Sequence, residues 1–109
     1  MCSYKTWFHD DAIGYTVQCS SCQTLQIGFG NLMLTLSLTA FEELRARIHK
    51  EMDELNPDMA ASAKCIIVPT PCESMNLLLS PNELLGVHTM LETVDTELKT
   101  QDLLTLFEA

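Results

Sequence analysis

The stretch Leu32-Met33-Leu34-Thr35-Leu36-Ser37-Leu38-Thr39-Ala40-Phe41-Glu42 changes its period part-way along, and that change decides the fold class. Leu32, Leu34, Leu36 and Leu38 alternate with Met33, Thr35 and Ser37, the period of two that puts every second side chain on one face of a strand. Phe41, Leu44, Ile48, Met52 and Leu55 then recur at helical spacing. Thr39 and Glu42 stand in the capping-box relation, where the hydroxyl accepts from the third helical amide and the carboxylate reaches back, so a helix is expected to start at Thr39. Asn56-Pro57-Asp58 ends it, because proline disfavours helix in the residue before it.

Upstream, Ser3 to His9 carries Tyr4, Thr6, Trp7 and Phe8, and Tyr15 to Cys19 resumes with strand-forming types. A hairpin turning near Asp11-Ala12 is predicted. Leu25, Ile27 and Phe29 alternate on a further strand, and Gly30-Asn31 supplies the turn into the leucine strand. Downstream, Cys65-Ile66-Ile67-Val68 reads as a core strand with Cys65 as a small buried hydrophobe. Pro69 to Glu73 reads as a turn and Met75 to Leu79 as a second strand. Ser80-Pro81-Asn82-Glu83 is a capping box with proline at the first helical position, and Leu84, Val87, Leu91, Val94 and Leu98 form the helical stripe behind it. A leucine-rich strand leading into a capped helix thus occurs twice. The expectation is a single α+β domain over residues 1–109: an antiparallel sheet of about five or six strands with two or three helices packed on one face.

Composition narrows the function classes. With 47% hydrophobic and 19% charged residues the chain carries enough apolar surface to offset chain entropy, so global disorder is excluded. Six basic against fifteen acidic residues give a net charge of -9, which repels phosphate backbones and anionic lipid; no nucleic-acid partner is expected. Arg45, Arg47 and Lys50, beside Glu42, Glu43 and Glu51, read as a solvated helix face with ion pairs. The longest apolar runs fall far short of the ~20 residues that span a bilayer, so no membrane partner is expected either. Five cysteines, an odd number, behind an N-terminus that does not read as an export signal, point to the cytoplasm and to reduced thiols or metal ligands.

Cys19-Ser20-Ser21-Cys22 is the one chemistry-bearing motif, because two thiols at this spacing can grip one metal ion or close a small redox ring. Pairing the first two strands brings Cys2 towards Cys19 and Cys22 and leaves His9 at the far end, roughly 20 Å off at about 3.3 Å per residue. Cys2, Cys19 and Cys22 are therefore the candidate ligands of a structural zinc, with Cys65, Cys72, His49, His88 or water open as the fourth. Unmetallated thiols remain the alternative at this spacing. A redox role is disfavoured, since this CxxC leads into a strand and lacks the helix N-terminus that lowers a thiolate pKa. Gly28-Phe29-Gly30 lacks a third glycine and precedes a strand, so no phosphate-cradling loop is present. His9 and His88 have no recognisable partner in the sequence.

The run from Cys19 through Cys22, Gln26, Phe29, Gly30 and Asn31, with the leucine strand and helix that follow, resembles a family of small uncharacterised bacterial proteins of Bacteroidetes type. That resemblance implies no activity, and it favours Cys2, Cys19 and Cys22 acting as a set.

Leu103, Leu104, Leu106 and Phe107 close the chain with an apolar helical segment that must fold back on the sheet or dock on a second copy. The expected function is a non-enzymatic cytoplasmic interaction or structural module, self-associating or partner-binding through this helix. The rival is a thiol- or metal-dependent enzyme using the Cys19/Cys22 region.

Overall fold

In the computed structural model, which describes residues 3–108, the strand-forming runs of the N-terminal third become a four-stranded antiparallel meander. Its strands are β1 (Tyr4–Asp10), β2 (Gly14–Cys19), β3 (Leu25–Phe29) and β4 (Leu32–Leu36), in that spatial order. Cross-strand partners share a face of a sheet. The row Phe8–Thr16–Ile27–Leu34 and the row Lys5–Gln18–Leu25–Leu36 therefore face inward together. In β1 the register slips at Trp7, a bulge that leaves Trp7 and Phe8 both against the core, with Trp7 Nε1 donating to Gln18 Oε1 at 2.9 Å. On the outer face the Tyr15 ring crosses Gly28, where an added Cβ would collide with it.

The leucine strand ends one residue pair earlier than its alternation implies. Leu36 is its last residue, Ser37 is extended and caps, and helix α1 runs Leu38–Asp53. Ser37 Oγ accepts from the Ala40 amide at 3.1 Å, so Ser37, not Thr39, is the cap; Thr39 already lies inside the helix. A single-residue corner lets Leu36 and Phe41 both point into the core, while Leu38 turns to solvent.

After the connection from Glu54 to Cys65, β5 (Ile66–Pro69) and β6 (Asn76–Leu79) pair with each other and, among the described residues, with no other strand. The six antiparallel strands of the described residues thus divide into a sheet of four and a sheet of two. Ile66 and Val68 pair with Leu79 and Leu77 and set the inward face. Period two then puts Cys65 and Ile67 outward, so Cys65 is exposed rather than buried as its strand position implied. Its thiol reaches Met59 Sδ at 3.1 Å.

Helix α2 runs Pro81–Glu108 without a break. Its capping box forms as the sequence dictates: Glu83 N–H donates to Ser80 Oγ at 3.2 Å and Ser80 N–H to Glu83 Oε1 at 3.0 Å. Hydrogen bonding from Lys64 and from the Ser80 amide holds the Glu83 carboxyl below its usual pKa. Leu84, Val87, Met90, Leu91 and Val94 of α2 meet Phe41, Leu44 and Ile48 of α1, the inner rows of the meander and the inner face of β5–β6 in one continuous buried cluster. The architecture is α+β, with two helices on one side of antiparallel strands.

Candidate functional site

Cys19 and Cys22 bracket a tight turn between β2 and β3. Cys19 N–H donates to Thr24 O, and Gln23, held at a left-handed φ of 64°, donates to Cys19 O, both at 2.9 Å. Gln18 Nε2 braces the turn by donating to Gln23 O at 3.1 Å. The two thiols differ in setting: Cys19 is buried, whereas Cys22 is exposed with Sγ 3.2 Å from Thr24 Oγ1. Cys2 lies outside the described residues. Its neighbour Ser3 accepts from Ser20 N–H at 2.8 Å and from Ser20 Oγ at 2.9 Å, and Tyr4 pairs with Cys19. The start of the first strand therefore runs alongside the CxxC turn, and His9, paired with Tyr15, stands at the other end of the hairpin.

A second cluster lies on the seam between α1 and α2, which run antiparallel: His49 of α1 meets His88 of α2, and Arg45, one turn earlier, meets Glu92 and Asp95. Arg45 was expected on a solvated face. Instead it crosses the seam, donating to Glu92 Oε2 at 2.8 Å as well as to Glu42 Oε2 of its own helix at 2.9 Å. The Glu42 hydrogen bond, reinforced by Glu92 and Asp95, outweighs partial burial and raises the Arg45 pKa above its ordinary value. Burial disfavours the Asp95 anion, yet the Lys99 hydrogen bond at 2.8 Å and the charges of Arg45 and Lys99 prevail, so its pKa lies below the usual carboxylate value.

With Arg45 holding Oε2 of Glu92, the other carboxylate oxygen turns to the histidines. Glu92 Oε1 stands 3.9 Å from His49 Nδ1 and 3.8 Å from His88 Nε2, and the rings are 5.9 Å apart between centroids. The opposite nitrogen of His49, Nε2, faces Asp53 Oδ2 at 3.5 Å. Among the described residues, His49, His88 and Glu92 are the group of potential ligands that converges, their ligand atoms all within 4.8 Å of one another.

The third feature is the end of α2. Every residue from 101 to 108 is exposed, and Leu103, Leu104, Leu106 and Phe107 are 56%, 51%, 71% and 86% accessible. At about 100° per residue, Leu103 is turned by about 140° and Phe107 by about 180° from Leu98, the last residue of the core stripe. The terminal apolar stripe therefore points away from the chain's own sheet, and of the two coverings the sequence allowed, folding back on the sheet is not the one adopted. No helix of the described residues is long and apolar enough to cross a membrane.

A family model described as a family of unknown function, DUF6686, matches residues 1–108. The chain belongs to DUF6686. Comparison with curated proteins and with solved structures returned no match.

In this DUF6686 chain His49 and His88 entered the sequence reading as options for a fourth ligand beside the cysteines, and their convergence with Glu92 was missed. A signal was present: His49 and Asp53, and His88 and Glu92, are each four residues apart, the spacing that stacks two ligand types on one helix face. What the spacing does not show is that the two pairs face each other across the DUF6686 helix seam.

Proposed function

We propose that this chain is a non-enzymatic bacterial module, a single domain working in the cytoplasm, that self-associates through the projecting end of α2. The observation that carries the reading is the terminal apolar stripe, which faces away from the body and is left exposed over two helical turns. A second copy is the occupant it fits. The stripe itself is uncharged, and an antiparallel pairing of two such helices about Leu103–Leu104 brings Lys99 of one copy alongside Glu108 of the other. Such a contact is self-complementary, as a two-fold interface requires. The single buried cluster shared by both sheets and both helices supports the one-domain part. The odd number of cysteines supports the cytoplasmic part and the family resemblance the bacterial part.

Sedimentation across a dilution series tests it. Two turns of helix make a small contact, so the expected result is a concentration-dependent monomer–dimer equilibrium. It should survive added salt, which screens both the repulsion of two chains of charge -9 and the Lys99–Glu108 pairs while leaving apolar contact intact. Leu103→Glu with Phe107→Glu should leave a monomer at every concentration. A wild type that stays monomeric at high concentration would overturn the reading.

A second reading is favoured by the pairing of Tyr4 with Cys19: a structural zinc held by Cys2, Cys19 and Cys22. It expects stoichiometric zinc in the purified protein, with three or four of the five thiols reacting only after chelation. Metal-free protein whose thiols react at once would dismiss it.

A further inference from the structure

We propose that His49, His88 and Glu92 bind one divalent transition-metal ion of the zinc class, in a site that bridges α1 and α2. The donor set is two imidazoles and one carboxylate, which suits Zn²⁺, Co²⁺ or Ni²⁺ and needs no thiolate.

The geometry is near what such an ion requires. Ligands about 2.1 Å from a tetrahedral zinc lie about 3.4 Å from one another. Glu92 Oε1 is already 3.9 Å from His49 Nδ1 and 3.8 Å from His88 Nε2. All the ligand atoms lie within 4.8 Å of one another, and the side chains have room to close on an ion, with His49 57%, Glu92 33% and His88 25% accessible. These separations also exceed hydrogen-bond range, so the nitrogens that face Glu92 are not tied to it by an internal bond.

The surroundings orient the ligands as outer groups of metal sites do. Asp53 Oδ2 sits 3.5 Å from His49 Nε2, placed to accept from Nε2–H and so leave Nδ1 as the ligand atom for the metal, as in carboxylate–histidine–metal triads. Arg45 fixes Glu92 by Oε2 at 2.8 Å and leaves Oε1 for the ion. The guanidinium opposes a cation, but Glu42 and Asp95 offset it, Asp53 faces His49 and the chain as a whole is acidic. With three protein ligands and solvent at its edge, the ion keeps a coordination position for water or an incoming donor atom.

The experiment is a titration of chelator-stripped full-length protein with Co²⁺ and with Zn²⁺, followed by visible absorption and calorimetry. One equivalent should bind with ligand-field bands and no thiolate-to-metal charge-transfer band. Asp53→Asn should weaken that equivalent about tenfold, the usual loss for an outer-shell carboxylate, and His49→Gln and His88→Gln should each weaken it more. Cys19→Ser with Cys22→Ser should leave it unchanged, so a cysteine-held zinc appears as a separate equivalent with its own thiolate band. His49 is over half exposed, so His49→Gln should melt like the wild type in chelator and keep the test clear of misfolding. Absence of binding, or an affinity indifferent to both histidines, overturns the proposal.

Discussion

At the scale of single residues, two hydroxyls compete for the start of α1 and only one wins. Thr39 has the better motif on paper, with Glu42 three residues on, but Ser37 is where the backbone leaves the strand and its Oγ meets the Ala40 amide. Ser37→Ala is therefore expected to cost about 1 kcal/mol in chemical denaturation, the ordinary price of a lost cap. Thr39→Ala should be neutral or slightly stabilising, because alanine is the better helix former inside a first turn. Equal losses at both positions would restore the box to Thr39. The same choice was legible at α2, where Ser80 and Glu83 cap as their spacing dictates, since Pro81 fits only the first helical position and removes the ambiguity. Cys65 is the opposite case: alternation alone does not say which parity faces in, and the pairing of Ile66 with Leu79 decided it.

At the scale of elements, the α1–α2 seam joins an apolar stripe to a charged edge. Asp95 is nearly buried there and bound to Lys99, with Arg45 Nε 3.6 Å away. Its native pKa is held below the unfolded value of about 3.9, so its contribution is present in full above that value and is lost as pH falls through the native pKa. Asp95→Asn should destabilise the protein by about 1–2 kcal/mol at neutral pH, the scale of hydrogen bonds to charged groups. The gap between variant and wild type in urea unfolding should close as pH is lowered from neutral through and below the ordinary carboxylate range. A gap independent of pH would mean that the carboxylate charge does not support the seam. The sequence displayed Arg45 and Glu42 as a solvated face of one helix; that Arg45 reaches across to Glu92 and Asp95 depends on how the helices dock.

At the scale of the whole molecule, α2 is longer than the body it packs on. Its 28 residues extend about 42 Å at 1.5 Å each, within overall dimensions of 50 × 28 × 26 Å. The last turns add nothing to the buried cluster, whose final α2 member is Val94, with Leu98 packed at its margin. The Leu103→Glu, Phe107→Glu variant should therefore keep the wild-type unfolding free energy in dilute solution while losing self-association. A fall of more than about 1 kcal/mol would show that the stripe is covered within the chain after all. Strand and helix identities, most turns, the α2 cap and the core stripes could all be read from the amino-acid order, because they depend on contacts within about four residues and on a regular period. The split of the six described strands into two sheets, the outward turn of Cys65, the meeting of His49 with His88 and Glu92, and the exposure of the terminal leucines, which the described residues leave uncovered, could not. Each of these depends on how elements distant in sequence dock and keep register, and that is set by the packing of one shared core.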